Sequence, residues 1–559
     1  MSTKFTSEKF FLLCIILIAL LLRTLNITFD LPQGRGLENL EVMRALELGM
    51  GKYNFERITK GGLFYVLFVE YGVLYLILSI LGIIRSSQDF ALYYMNNPSV
   101  FWIIGRLTSV IFGTVSVVLL HYIGKKIYDY RIGLFASFLF AIYPVHVKFS
   151  HIICVDIPMV MFVLAAFYAI MAFYENGSLK NSIAAGLFIG LAVMNKFPAI
   201  ILVFPLLLTH YWKRREEGGG RAQWFDRRLL ISLGVMAAVY VAGTPGLLAY
   251  PGKVLDTLAQ ISHGKTQFDA YSGKTPALWR LYGTHFFKTL GIPLFLFFVW
   301  GMARAAVKGT VAERCMAVFC ILFYVGLSTS SFREWSSHYT LPIVPFGLLL
   351  AARAMFSTSD VLERLHLNKM VAISVMLILS ILPFTRLNIL QAQELSTVKT
   401  NTLAREWIEQ NIPPRRKILL YGLPGLTYSQ IVPIRDLPEN LLKMAEESEK
   451  TGNKVKATYL RMKAATQEGI AYDLVASHTR RMIWESSSYY RAQGIDYIIV
   501  DTQYFDDDEE VQYSKEQNES RRNFYKSLKE DSLANLVKSF DPEELKLRGP
   551  KLEIYQIRG

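Results

Sequence analysis

Apolar runs of near-spanning length constrain this chain more than any other feature. They fall at 10–29, 100–123, 132–150, 157–174, 181–195, 198–212, 229–249, 286–303, 314–330, 340–356 and 370–388. About 20 apolar helical residues cross a bilayer core, so the pattern predicts roughly eleven spans. With 52% hydrophobic and 19% charged residues, the fold class is a mainly α, polytopic membrane protein rather than a soluble globule. The formal net charge of +14 does not point to nucleic acid, because many basic residues lie in short loops between apolar runs. Cys14, Cys154, Cys315 and Cys320 sit in or beside apolar segments and form no disulfide framework. Lys4 and Lys9 precede the first run without a small-residue cleavage site after it, so a retained first helix is expected.

Charge placement sets an expected topology. With a cytoplasmic N-terminus, the basic loops 124–131, 213–228, 303–314 and 353–369 all face the cytoplasm, provided that the further apolar run at 62–84 does not cross. That run is therefore read as a juxtamembrane or re-entrant segment. The same parity splits 181–212 into two short spans meeting at Asn195, Lys196 and Pro198. The opposite surface then gathers 30–99, the turns at 149–156, 195–198 and 331–339, the loop 250–285, and everything after about 389. Composition changes there: a helix at 396–411 precedes expected strands at KILLYG, DYIIVDT (496–502) and LEIYQI (552–557). A small extracytoplasmic α/β domain, 391–559, is expected after a membrane domain, 1–390. The expected location is a cell (inner or plasma) membrane, multi-pass.

Polar residues collected at one end of a helical bundle are site candidates. Glu38, Glu41 and Arg44 recur every three residues in GLENLEVMRALELG and share one helix face. Glu38 reads either as a general base near an apolar boundary or as part of a solvated face paired to Arg44. Asp156, before Pro158 at the start of a span, reads as a helix cap or a site carboxylate. His151 reads as an interfacial polar residue. Lys60, Lys196, Arg333 and His338 either snorkel outward or meet an anion; four such groups on one rim suit a phosphate-bearing ligand. The acidic run Asp506 to Glu510 reads as a solvated loop, without EF-hand spacing for calcium. No GxGxxG follows a strand, and no GxxxxGK[ST], HExxH or CxxC pair occurs, so neither a nucleotide fold nor a strong metal signature is indicated.

Several stretches, in order, resemble the GT-C superfamily of membrane glycosyltransferases, of the protein O-mannosyltransferase and lipid A aminoarabinose transferase type. They are LLLRTLNITFDLPQ, RALELGMGKYNF with KGGLFYVLF, the run from RLTSVIFG to CVDIPMVMF, AAGLFIGLAVMNKFPAI, SSHYTLPIVPFGLLLAA, and LAREWIEQNIPP with GIDYIIVD and LEIYQI. The resemblance covers about residues 10–390, with weaker echoes to the end. It implies transfer of a sugar from a polyprenyl-phosphate donor to a glycan, lipid or protein acceptor outside the cytoplasm, with inversion. It implies Glu38 and Asp156 as catalytic carboxylates, and Lys60, Lys196, Arg333 and His338 at the donor phosphate. Glu41 and His151 are secondary candidates. A divalent cation, Mg or Mn, is optional, and Asp156 would help hold it. The chain departs from the family's Asp-Glu pair: Leu37-Glu38 stands there, Gly61-Gly62 replace the usual proline, and His338 stands where arginine is common. The alternatives are a non-catalytic relative in an envelope assembly and, third, a transporter or flippase for lipid-linked sugars.

Overall fold

The computed structural model describes residues 2–31, 36–51, 61–218, 226–252, 278–329, 336–421, 431–466, 468–477, 484–502 and 515–557. The chain is a polytopic helical protein with a small C-terminal sheet, and it divides into two compact units. One comprises Met1–Ile27, Arg35–Leu74 and Phe101–Ala392; the other comprises Thr28–Gly34, Tyr75–Val100 and Gln393–Gly559.

Each apolar run of the helical unit is helical. Among the described residues, six helices are long and apolar enough to cross a membrane, and a seventh span results if a bent pair counts as one. The remaining expected runs are helical but short, broken or charged. Leu63–Ile80 is one of the six, so length and composition do not set it apart from the spans as a juxtamembrane segment. The expected span at 132–150 is the bent pair, Tyr130–Ala141 and Pro144–Ser150, turned by 60°. Pro144 has no N–H to continue the first helix. The carbonyls freed at the bend are not left bare: Arg23 Nη1 donates to Ala141 O at 2.8 Å and Asn388 Nδ2 to Ile142 O at 2.8 Å. Arg23 also contacts His146 Nδ1 at 2.8 Å.

The expected split of 181–212 is also present. Helix Leu179–Asn195 stops, Lys196 is extended (φ −156°, ψ 122°), and a 3-10 turn Phe197–Leu202 leads into Val203–Glu216. Helix Leu179–Asn195 lies close against Arg227–Gly243. A side chain at Gly186 would overlap the Ser232 carbonyl, and Ser182 and Ser232 hydroxyls meet at 3.0 Å. Small residues permit that approach, and the hydroxyl pair satisfies its own polar groups within the apolar layer.

The second unit holds a five-stranded sheet of order β2-β1-β3-β5-β4. Its strands are β1 Lys417–Tyr421, β2 Asp473–Ser477, β3 Tyr497–Asp501, β4 Ala534–Phe540 and β5 Leu552–Ile557. β1 pairs in parallel with β2 and β3, whereas β5 is antiparallel to β3 and β4. Alternation along the strands makes two cores. Ile418, Leu420, Ile499 and Ile554 pack with Ala404 and Ile408 of helix Thr400–Asn411. Leu419, Ile498, Val500 and Tyr555 pack with Phe524 and Leu528 of helix Lys515–Glu530. The three expected strands are β1, β3 and β5; β2 and β4, the two edges, were not foreseen.

Candidate functional site

The turn that interrupts the apolar run at Lys196 sets one wall of the site. Gly61 N donates to Met194 O at 2.9 Å, and Gly62 lies so close to Asn195 that a Cβ there would overlap its side-chain amide. Asn195 is buried and its Nδ2 donates to Leu191 O at 2.9 Å. The Gly61-Gly62 departure noted above is thus the surface on which the lysine turn rests.

Lys196 Nζ donates to Asp156 Oδ1 at 2.7 Å and sits 4.1 Å from the centre of the Tyr339 ring, a cation–π distance. Asp156 is the first residue of helix Asp156–Asn176, and no side chain caps the residue before it. Its carboxylate reaches toward the lysine instead. His338 Nε2 lies 3.7 Å from Asp156 Oδ2, and Cys154 Sγ lies 3.5 Å from the same oxygen. The His338 ring is fixed by Ser336 Oγ at 2.5 Å from Nδ1 and by packing on Phe149, 4.7 Å between centroids. Asp156 is 2% exposed, whereas Lys196 and His338 are 13% and 12% exposed, so the lysine and the histidine present more surface to a ligand than the carboxylate does. Three elements far apart in sequence thus bring Asp156, Lys196 and His338 together. Lys60 and Arg333 lie outside the described residues, as do the acidic run 506–510 and most of the loop 250–285.

Glu38 is held differently. Arg106 Nε donates to its Oε1 at 2.7 Å and Arg106 Nη2 to its Oε2 at 2.8 Å, a bidentate pair with both side chains fully buried. Ile153 N adds a third donor at 3.3 Å, and Arg106 Nη1 donates to Ile27 O at 2.6 Å. Glu38 is therefore not on a solvated face, nor is it paired to Arg44. Arg44 pairs with Glu41 at 2.6 Å, and Glu41 is also buried. His151 is buried and spends both ring nitrogens on the backbone, at Val147 O (2.8 Å) and Leu25 O (3.0 Å). Arg106, which ties the helix Gly36–Gly49 to the chain at Ile27, was not singled out. The signal was there: it is a charged residue inside the apolar run 100–123. Tyr339 and Cys154 were missed because neither is charged.

These neighbours bear on a metal. Among the described residues, no three His, Cys, Asp or Glu side chains form a group that could hold one. At Asp156 an ammonium occupies the place beside Oδ1 that a divalent ion would take, and the donor set does not fit such an ion.

Residues 100–242 match the dolichyl-phosphate-mannose-protein mannosyltransferase family. That stretch contains Arg106, His151, Asp156 and Lys196. The solved structure of ArnT from Cupriavidus metallidurans bound to undecaprenyl phosphate is similar at a TM-score of 0.50 and 12% identity, covering 97% of each chain. The chain shares the fold of that protein. An oligosaccharyltransferase from Archaeoglobus fulgidus, solved with a tethered acceptor peptide, reaches a TM-score of 0.48 at 13% identity, covering 92% of this chain and 72% of that one. No curated protein sequence matches the chain.

Proposed function

We propose that this protein is an integral membrane glycosyltransferase that moves a sugar from a polyprenyl-phosphate donor to an extracytoplasmic acceptor. The observation that carries the reading is the Asp156–Lys196–His338 cluster, a part-exposed lysine and histidine backed by a buried carboxylate, set in a GT-C-like fold. The acceptor hydroxyl oxygen attacks the anomeric carbon from the face opposite the phosphate, forming the new glycosidic bond with inversion. The bond from that carbon to the phosphate oxygen breaks, and its electron pair leaves on the lipid phosphate. Lys196 and His338 stabilise the charge that develops there, an electrostatic contribution that is large in a water-poor site. Asp156 holds Lys196 in place and takes the acceptor proton on Oδ2, the oxygen facing His338. Glu38, sealed against Arg106, holds the first loop helix in position. Lys60 and Arg333 join the phosphate site by resemblance.

One observation favours the second reading, a non-catalytic relative: Leu37 replaces an aspartate, and Glu38 is fully engaged by Arg106. Turnover of radiolabelled polyprenyl-phosphate sugars by purified protein in lipid separates the two. The transferase reading expects free polyprenyl phosphate from the wild type and not from Asp156→Asn. Donor binding without turnover of any sugar, across glycan, lipid and protein acceptors, would establish the non-catalytic relative.

A further inference from the structure

The second unit contains a cavity of about 540 Å³ that the transfer site does not use. Its floor is Asp30, whose carboxylate is 3.1 Å from both Lys399 Nζ and Arg548 Nη1. Asp30 adopts φ +62°, an uncommon conformation for a residue other than glycine, and the two cations hold it there. That part of the cavity already shows what its chemistry accepts, since two basic side chains close on one carboxylate. The lining also includes two more guanidinium groups, Arg405 and Arg435, and a single further carboxylate, Glu409.

Arg405 differs from its neighbours. It makes no hydrogen bond or ion pair among the described residues, and its Nε is buried without a partner. Arg435 also donates to no side chain or carbonyl among the described residues; its guanidinium lies against Gly469, whose φ of +100° and missing Cβ leave room for it. The cavity lining thus carries four cations against two anions, and the two unmatched cations are planar forks suited to a phosphate or carboxylate. The rest of the lining is Phe29, Leu31, Leu395, Val398 and Pro433 with the hydroxyls of Thr397 and Thr402. Apolar walls bearing a few hydroxyls suit a ring with C–H faces and several hydroxyl groups, and the volume lies within the range of small-molecule sites, larger than a bare phosphate requires.

We infer that this cavity is a binding site for a negatively charged saccharide, one bearing a carboxylate or phosphate on the sugar. The anion sits between Arg405 and Arg435, and the ring lies along the apolar wall. This site is independent of the transfer reaction and of its proposed residues.

Binding is measured on the full chain in lipid nanodiscs by calorimetry, with glucuronate, glucose 6-phosphate, inorganic phosphate and glucose as probes. Glucuronate or glucose 6-phosphate should bind, more weakly as salt is added. The Arg405→Ala/Arg435→Ala protein should lose roughly tenfold or more in affinity, since charged hydrogen bonds are removed. An unchanged melting curve for that variant confirms that only binding is altered. Glucose binding as tightly as its charged analogues would overturn the inference. So would inorganic phosphate binding as tightly as glucose 6-phosphate, affinity that survives the double substitution, or no binding of any probe.

Discussion

Asp156 and Lys196 share a buried contact, and their substitutions should separate charge from chemistry. Lys196→Gln removes the ammonium proposed to face the leaving phosphate and should lower kcat by about 10² to 10³. The lost pair also leaves Asp156 uncompensated at 2% exposure, which is expected to cost about 3–5 kcal/mol of stability. Turnover and melting measured on one preparation check both. Glu38→Gln makes the complementary test, since it breaks the bidentate bond to Arg106. It should destabilise by a similar amount, about 3–5 kcal/mol, with residual turnover in whatever fraction remains folded. A Glu38→Gln protein that melts like wild type yet turns over nothing would make Glu38 the base after all. At this scale the sequence supplied candidates but not partners. Charged residues at the ends of apolar runs were visible as Asp156, Lys196 and His338. Which cation meets which carboxylate depends on packing between elements 40 to 182 residues apart, the 156/196 and 156/338 separations, and no local pattern encodes that.

The element that most directly positions the site is the break after helix Leu179–Asn195. Lys196 projects as it does because the chain turns there, and Gly61-Gly62 pack on that turn. Gly62→Ala would press its Cβ into the buried amide of Asn195. It should cost about 1–3 kcal/mol, as overpacking does. Because the next residue is Lys196, turnover should fall by much more than folding, up to about 10²-fold for a shift near 1 Å. A loss of turnover no greater than the loss of folded protein would detach this turn from catalysis. Charge parity made the break readable, since one continuous helix would have inverted every later basic loop. The bend at Pro144 was less readable. A proline in an apolar run marks a break, but the carbonyls that it frees are met by Arg23 and Asn388, far apart in sequence. The sheet shows the same division. The inner strands β1 and β3, and β5 beside them, are near-continuous apolar runs. The edges β2 and β4 are not: in β4, ANLVKSF, three of the seven residues are exposed and only Phe540 is buried, without a strict alternation.

For the whole molecule, stability in the second unit should depend on pH through two buried groups. Asp436 accepts from Leu437 N, Asn440 Nδ2 and Leu474 N, yet burial raises its pKa from 3.8 to about 6. The folded state then holds a proton that the unfolded state has released. Its contribution is full below pH 3.8 and is lost as pH rises to about 6, on the order of 3 kcal/mol. Burial lowers Lys463 from 10.5 to about 8, so between those values the unfolded state binds more protons and stability rises with pH. Hydrogen exchange of the β3 amides in the full chain, corrected for intrinsic rates, should show least protection between about pH 6 and 8. Asp436→Asn should flatten the acid limb, and a limb that persists in that variant would assign the pH response elsewhere. The polytopic helical class and the C-terminal sheet were legible because they rest on composition and hydropathy, which each stretch carries by itself. The transfer reaction rests on geometry and resemblance, and one experiment reaches it most directly. Purified protein in lipid is given a panel of radiolabelled polyprenyl-phosphate sugars, with Lys196→Gln and Asp156→Asn alongside. Release of polyprenyl phosphate by the wild type, slowed by the first substitution and stopped by the second, is the predicted result. Equal release from all three proteins would contradict the assignment of this cluster.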